Sequence, residues 1–187
     1  MPEGLFRMPT KMKITGRTSS ITNAFVNSII PVIQPTGSEV EKVLNILGME
    51  DGKICCSYCG GESTEWDHFR PLVINKEFTG YISEIANLVP ACGKCNQSKG
   101  NKNWDEWIVS GAPRSPKSKN VPNLDDKIRR LKNFERWREP TKLDFKQIVG
   151  EKDLEIHQRN LDAITKSMRD AQEHAELLSK KIEKSLE

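Results

Sequence analysis

The chain has 187 residues, of which 36% are hydrophobic and 29% are charged, and its mean hydropathy is −0.60. These values predict one core-bearing domain with appendages, or two small modules, and they exclude a membrane-spanning protein. The N-terminal segment has basic residues but no apolar leader region, so we expect a cytoplasmic protein. In that compartment the five cysteines are expected to be reduced and available as metal ligands.

The net charge of +3 is unevenly distributed along the sequence. Residues 1–98 carry 9 basic and 10 acidic side chains, whereas residues 99–142 carry 12 basic and 6 acidic ones, a net charge of +6. Residues 143–187 return to a net charge of −2. A phosphate backbone would require a basic region of this kind, although a run of charge is more often a solvated face.

Residues 1–50 are predicted to form an N-terminal arm and a helix. In the arm, only Ile21–Ile30 has the pattern of a regular element. Ser38-Glu39-Val40-Glu41 has the form of a capping box, and Val43, Leu44 and Leu47 follow at helical spacing before Gly48. We therefore predict a helix of about ten residues that ends at Gly48.

Residues 51–109 are predicted to form a compact core of short strands and one helix. Lys53–Tyr58 and Trp66–Val73 are predicted as strands on either side of the Gly60-Gly61 turn, and Ile82–Val89 as a connecting turn. A helix is predicted from Lys94 or Cys95 to about Val109, with Trp104 and Trp107 packed in the core along with Trp66.

The remaining sequence is predicted to be a basic linker followed by a helical extension. Residues 110–122 are rich in Pro, Ser and Lys and are predicted to be a flexible linker or a DNA-facing arm. Residues 123–187 contain a predicted helix from Asn123 to about Glu139 and a long helix after Gly150. The apolar seam of the long helix is heptad-like: Leu154, His157, Leu161, Ile164, Met168, Ala171, Ala175, Leu178 and Ile182. It predicts either a homodimer or a fold-back onto Asn123–Glu139.

Two Cys-x-x-Cys pairs predict one structural zinc ion per chain. The ligands are Cys56, Cys59, Cys92 and Cys95, since four thiolates at this spacing make a closed tetrahedral site. Cys55 adjoins Cys56, but the symmetric spacing favours Cys56 as the ligand and leaves Cys55 as a small buried hydrophobic residue. A zinc ribbon that only binds nucleic acid would contain the same four cysteines, so the residues between the pairs decide the function.

Between and after the pairs stand Asp67-His68 and Asn96, in the text WDHFRP, NLVP and CGKCNQSKG. In this order they resemble the HNH endonuclease family. The resemblance implies an α+β fold: a ββα-metal core stabilised by a four-cysteine zinc site, with mainly helical N- and C-terminal extensions. It implies that His68 is the general base, that Asp67 and Asn96 hold a catalytic Mg²⁺ or Mn²⁺, and that Asn87 braces the loop between strand and helix.

The chemistry of phosphodiester hydrolysis favours the same roles. A histidine that titrates near neutrality accepts a proton from water, and carboxylate and amide oxygens are hard ligands for Mg²⁺. Successive side chains of a strand point to opposite faces, so Asp67 and His68 would not compete for one position. Alternatively, Asp67 contacts a ligand of the metal and does not bind the metal itself. Arg70 and Lys99 are expected either to contact phosphate or to be solvated charges.

The sequence thus predicts a metal-dependent DNA endonuclease that acts on double-stranded DNA, and within that class a type II restriction enzyme. Arg114, Lys117 and Lys119 are predicted to contribute to its main phosphate-binding surface. Two alternatives stay open: another bacterial defence or mobile-element HNH nuclease, and a non-catalytic zinc-ribbon DNA-binding protein.

Overall fold

A computed structural model of the chain describes residues 8–49, 53–75 and 77–186. The chain divides into two compact units. One unit consists of residues 30–145, and the other consists of residues up to 29 together with those from 146 onward. Within the described residues, no helix has the length and apolar character needed to cross a membrane.

The unit of residues 30–145 combines helices with two small antiparallel sheets. Its elements are α2 (Gly37–Leu47), β1 (Glu65–His68), β2 (Val73–Ile74), β3 (Glu77–Phe78), β4 (Leu88–Ala91), α3 (Gly93–Lys99), α4 (Trp104–Ile108) and α5 (Leu124–Trp137). Strand β1 pairs with β4, and α3 follows β4 after a single residue. The predicted α+β core, with a ββα order of elements and helical termini, is therefore confirmed.

The partner of β1 is not the one that the sequence suggested. Lys53–Tyr58 forms an isolated bridge between Cys55 and Glu62 but no regular strand. It then turns so that the Cys56 amide donates to the Gly61 carbonyl at 2.7 Å and the Ser57 amide to the Pro90 carbonyl at 2.8 Å. The true partner is β4, and its first two residues, Leu88 and Val89, lie within Ile82–Val89, the predicted connecting turn. The prediction of a strand at Lys53–Tyr58 is wrong because the cysteine turn uses the backbone groups that a strand would pair.

Helix α2 confirms the predicted helix before Gly48 but begins at a different cap. The Thr36 hydroxyl accepts from the Glu39 amide at 3.3 Å, and the Glu39 carboxylate accepts from the Thr36 amide at 2.8 Å. Thr36, rather than Ser38, is therefore the capping residue. At the other end Gly48 has φ of 67°, and Arg130 donates to the carbonyls of Leu47 and Gly48.

The single helix predicted to reach Val109 is two helices, α3 and α4. Gly100 has φ of 51°, which ends α3, and Asn103 then begins α4. Trp104 and Trp107 are almost completely buried, as predicted. Trp66 is 44% exposed, so its predicted place in the core is wrong. It alternates along β1 with Asp67, which takes the inward position.

The core of this unit joins α2, α5 and the segment that carries the cysteines. Phe69 stacks on Trp104 at 5.1 Å between ring centroids and meets Phe134 of α5 edge-on at 5.2 Å. Tyr58 meets Trp107 edge-on at 5.2 Å. These contacts pack the segment after β1 against α4 and α5, which gives the strand a rigid support.

Residues 110–122 form a compact series of turns. The Ser115 side chain is completely buried, and its hydroxyl donates to the Ser110 carbonyl at 2.6 Å. The Lys117 amide donates to the Ile108 carbonyl at 3.1 Å. The serine hydroxyls satisfy backbone groups of the turns, and the linker or DNA-facing arm stays a prediction.

The second unit pairs the long helix α7 (Glu151–Lys184) with the N-terminal segment. That segment forms a 3₁₀ turn, Ile14–Arg17, and helix α1 (Thr18–Asn27), while the short helix α6 (Phe145–Val149) precedes α7. The His157 ring bonds to the Phe25 carbonyl at 2.9 Å, and the Ile14 amide donates to the Gln172 side chain at 2.7 Å. The predicted long helix is confirmed, with an in-chain partner that the sequence did not reveal.

Candidate functional site

The four cysteines of the two pairs converge on one point. Their Sγ atoms all lie within 4.8 Å of one another, and those of Cys59 and Cys92 are 3.8 Å apart. A tetrahedral zinc ion with bonds of about 2.3 Å would hold its sulfur ligands about 3.8 Å apart. The four cysteines are thus positioned to bind a metal, and the cluster contains Cys56 rather than Cys55.

The chemistry of this cluster also fits a bound cation. Cys56 and Cys95 are buried, while Cys59 and Cys92 are partly exposed. Within the cluster, the hydrogen bond to Cys59 raises the pKa of the Cys56 thiol. Four such thiols become thiolates together only when a cation compensates their charge, and a set of four sulfurs is the donor set that structural zinc prefers. Cys55, which was expected to be buried, is half-buried beside the cluster.

His68 is the last residue of β1, and its ring is partly buried. Its Nε2 atom lies 2.8 Å from the Ser83 hydroxyl. Burial, followed by the nearby Lys99 ammonium, lowers the pKa of His68 to about 4. The expectation of titration near neutrality is therefore corrected, because the sequence could not show the burial of this ring. The imidazole is neutral at pH 7 and able to accept a proton.

Asn87 is completely buried directly before β4. Its Oδ1 accepts from the Arg70 amide at 2.7 Å, and its Nδ2 donates to the carbonyls of Arg70 and Ile82 at 3.2 and 3.1 Å. The Phe69 amide donates to the Asn87 carbonyl at 2.8 Å. One side chain thus joins the segment after His68 to the loop before β4.

Asp67 is buried within a network of polar groups. The Tyr58 hydroxyl donates to one carboxylate oxygen at 2.6 Å, and the Lys99 ammonium lies 3.0 Å from the same oxygen and 3.2 Å from the other. Lys99 also donates to the His68 carbonyl at 2.8 Å. Burial raises the pKa of Asp67 and lowers that of Lys99, whereas their mutual attraction opposes both shifts.

This network corrects the prediction for Lys99. The side chain of Lys99 is completely buried and donates to Asp67, His68 and Gly100. Neither of the two expected roles, a phosphate contact or a solvated charge, fits this position. The sequence pattern misled because Lys99 lies in a basic stretch, and charge patterning carries no information about burial.

Asn96 lies in α3, on the face that approaches β1. Its Nδ2 donates to the Glu65 carboxylate at 2.6 Å, and Glu65 lies two residues before Asp67 on the same face of the strand. Asp67 has both oxygens engaged and is only 4% exposed. As placed, Asp67 and Asn96 therefore do not fit a shared site for a divalent ion. Among the described residues, the cysteine cluster is the one group of three or more His, Cys, Asp or Glu ligands positioned for a metal.

The basic stretch is partly neutralised by neighbouring carboxylates. Arg138 pairs with Glu39, and the buried Lys99 pairs with Asp67, both carboxylates from outside residues 99–142. Arg70, which lies outside this stretch, pairs with Glu135. Asp126 pairs with both Arg129 and Arg130. By contrast, Arg114, Lys117 and Lys119 are exposed on the turns of residues 110–122. The net charge of +6 therefore overstates the charge that this stretch offers to a partner.

Sequence reasoning missed three side chains of the site: Tyr58, Ser83 and Glu65. Tyr58 stands between Cys56 and Cys59, so a metal at the cysteines would fix the Tyr58 backbone near the strand. This position between two metal ligands is the sequence signal that could have identified Tyr58. Glu65 directly precedes the predicted strand and lies two residues before Asp67, on the same face of β1. Ser83 comes from a loop fifteen residues after His68, and no sequence pattern points to their contact.

Comparison with known proteins adds one match to this geometry. No curated protein and no solved structure matches the chain. The one segment with a match begins at the first cysteine of the cluster and includes all four of its ligands, together with Asp67, His68, Asn87 and Asn96. Residues 56–102 match the family described as HNH endonuclease.

Proposed function

We propose that this protein is an HNH endonuclease that hydrolyses phosphodiester bonds in double-stranded DNA. The observation that carries the proposal is the position of His68 within the segment that matches this family. The ring is neutral at pH 7, and it is held at the end of a strand whose following residues are fixed by Asn87. A rigidly placed neutral imidazole is the group that activates a water molecule.

The four-cysteine cluster supports the site without taking part in the chemistry. We propose that it holds one zinc ion, since all four protein ligands are present and a closed site of this kind is structural. Cys92 precedes α3 directly and Cys95 lies in its first turn. The ion would thereby connect the Cys56–Cys59 turn to the helix that carries Asn96 and Lys99.

The family implies a divalent cation, Mg²⁺ or Mn²⁺, that neutralises charge on the phosphoryl oxygens during cleavage. Because Asp67 and Asn96 do not fit a shared site as placed, their assignment as its ligands stays a proposal, and no step is derived through the ion. His68 would take the proton of the attacking water at Nδ1, in the tautomer in which Nε2–H donates to the Ser83 hydroxyl. The Ser83 hydroxyl at Nε2 keeps the ring in one orientation.

Within this class we propose a type II restriction enzyme that acts as a homodimer. The sequence contains one nuclease segment and no GxxxxGK[ST] motif, so cleavage would not depend on an ATPase in this chain. Two identical sites related by a two-fold axis would cut both strands of a palindromic sequence. The exposed Arg114, Lys117 and Lys119 side chains would contact the phosphate backbone.

The test is single-turnover cleavage of plasmid DNA by wild-type protein and His68→Ala in Mg²⁺. Loss of a general base costs on the order of 10²–10⁴ in rate, while DNA affinity is expected to stay unchanged. His174→Ala on α7 is the matched control, because His174 is exposed and lies in the other unit. Discrete bands from the wild-type protein would support restriction, and a smear would support a less selective nuclease. Cleavage by His68→Ala at the wild-type rate would refute the assignment.

A non-catalytic zinc-binding DNA module is the second candidate, and the occupied carboxylate of Asp67 favours it. A carboxylate that is already paired with a lysine is not available to bind a catalytic ion. The same experiment separates the two functions. Wild-type protein that binds DNA but cuts none of several plasmids in either Mg²⁺ or Mn²⁺ would establish the binding module.

A further inference from the structure

The buried ion pair between Lys99 and Asp67 has no role in the function proposed so far. Lysine is among the side chains that are least often buried, since removing its charge from water is costly unless it is fully paired. Here the ammonium lies 3.0 Å from Asp67 and donates to the carbonyls of His68 and Gly100 at 2.8 and 3.3 Å. The groups that accept from the Lys99 ammonium thus lie in β1 or at the end of α3.

The same network reaches the cysteine cluster through Tyr58. Tyr58 is completely buried between the ligand positions Cys56 and Cys59, and its hydroxyl donates to Asp67 at 2.6 Å. Trp107 meets its ring edge-on, which fixes the direction of the hydroxyl. Three elements therefore converge on one carboxylate: the first cysteine turn, strand β1 and helix α3.

We propose that Lys99 and Tyr58 are positioning residues of the nuclease site, which hold the end of β1, and with it His68, in register with the metal-bound turn and α3. This inference rests on the proposed function of His68. Lys99 acts through the His68 carbonyl and through Asp67, and Tyr58 acts through Asp67. Both carboxylate oxygens of Asp67 are engaged by Tyr58 and Lys99 in this network.

The physical reason is that β1 is short and pairs with a single strand. It has four residues and β4 as its partner, so its last residue, His68, lies at the end of a small ladder. The His68 ring can rotate with the His68 backbone unless contacts outside the two-stranded ladder fix that backbone. Asn87 fixes the residues after His68, and Lys99 fixes the carbonyl of His68 itself. A base that moves by about 1 Å can lose about a hundredfold in rate.

Two variants test the network in the full-length, metal-loaded protein. Lys99→Met keeps the side-chain volume without the charge, and Tyr58→Phe removes only the hydroxyl. Tyr81→Phe is the control, because Tyr81 is the other tyrosine of the chain and its ring faces Lys142 instead of the site. The measurements are the single-turnover rate at saturating DNA, the DNA affinity in Ca²⁺, and its salt dependence.

We expect Lys99→Met to lower the saturating rate by about a hundredfold and Tyr58→Phe by roughly tenfold. DNA affinity and its salt dependence should equal those of the wild type, because neither side chain reaches the surface. Weaker binding with a smaller salt slope in Lys99→Met, at an unchanged saturating rate, would show that Lys99 contacts phosphate and would overturn the proposal.

Histidine-selective NMR gives a readout that does not depend on cleavage. The chain has three histidines, His68, His157 and His174, and only His68 lies in the unit that contains the network. Its ring signal should shift or broaden in Tyr58→Phe, while the other two signals and the bound zinc stay unchanged. An unchanged His68 signal together with a wild-type rate would refute the inference. If the wild-type protein cuts no DNA, the proposed function fails, and the His68 signal still decides whether the network positions the ring.

If Lys99→Met does not fold, as shown by lost zinc and altered circular dichroism, Tyr58→Phe decides alone. Removal of one hydroxyl leaves the ring and its packing against Trp107 in place. A folded Tyr58→Phe that retains full activity would then count against the network.

Discussion

The unit of residues 30–145 and the unit that contains α7 bury their apolar side chains to different extents. In the first unit, Val43, Trp104, Leu131 and Phe134 are almost completely inaccessible, and the cysteine cluster joins two of its turns. In the second, α7 has 34 residues and none of them is buried. The first unit has a closed apolar core and a cysteine cluster positioned to bind a metal, whereas the long helix of the second keeps apolar side chains exposed to solvent.

The exposed side chains of α7 follow part of the predicted heptad seam. Leu154, Leu161 and Met168 are half-buried, and the helix that carries them contacts the N-terminal segment of the same chain. Ile164 is 41% exposed, Leu178 is 46% exposed and Ile182 is 63% exposed. A 34-residue helix needs one covered stripe to be stable, and here a second row is left uncovered. The comparison thus separates a unit whose four cysteines are positioned to bind a metal from a unit whose long helix leaves apolar side chains exposed.

The largest expected effect is that of removing the metal. We predict that Cys59→Ser, or complete chelation, unfolds the unit of residues 30–145, since a structural zinc contributes about 10–16 kcal/mol, comparable to or greater than the stability of a whole domain. All four tryptophans lie in this unit, so their fluorescence reports its unfolding without interference from the other. Metal analysis should find about one zinc per chain.

Cys55→Ser is the control for this experiment, because Cys55 adjoins the cluster without belonging to it. That variant should keep its zinc and its fluorescence. If tryptophan fluorescence and melting are unchanged after complete removal of zinc, the core is stable without a metal, and the contrast between the two units disappears.

A smaller effect is expected from removing positive charge on the turns of residues 110–122. Neutralising Arg114, Lys117 and Lys119 to glutamine should weaken binding to all DNA sequences alike. The slope of log K against log salt should decrease by about 0.9 for each phosphate that these side chains no longer neutralise. These three side chains are exposed, whereas several arginines of the same stretch are paired with carboxylates.

The matched control removes three charges from the other unit, through Lys152→Gln, Lys180→Gln and Lys181→Gln in α7. It should leave the salt slope unchanged if DNA binding belongs to the unit with the metal. Equal slopes for wild type and the first triple variant would show that Arg114, Lys117 and Lys119 face solvent in the complex.

The smallest expected effect concerns self-association through α7. We predict that the full-length chain forms a dimer at tens of micromolar and that Ile164→Glu combined with Leu178→Glu makes it monomeric. Burial of an isoleucine or leucine side chain contributes about 1.5–3 kcal/mol, and a buried carboxylate opposes association. Sedimentation equilibrium of both proteins measures the difference.

Leu177→Glu is the control, because Leu177 is also exposed but lies outside the heptad row. This variant should remain dimeric. Wild-type protein that stays monomeric, with and without DNA, would remove the dimer and would also weaken the proposal of a restriction enzyme.

Local patterns predicted those parts of the protein that depend on neighbours in the sequence. The spacing of Cys56 and Cys59, and of Cys92 and Cys95, identified a metal cluster because two residues between ligands are enough for one turn to present both sulfurs. Helices α5 and α7 followed from apolar periodicity, and α2 from its glycine stop. The family resemblance also rested on short motifs, and the match at residues 56–102 agrees with it.

Several features depended on contacts between distant residues, and the tertiary structure alone decided them. Strand β1 pairs with Leu88–Ala91 because the cysteine turn takes the backbone groups of the nearer candidate. Lys99 is buried because α3 crosses β1 at Asp67, so a residue from a basic stretch becomes the partner of an acid 32 positions away. The same burial lowers the pKa of His68 to about 4. Sequence alone determined which chemical groups are present, whereas desolvation and long-range pairing decided how they are charged and which of them are open to a substrate.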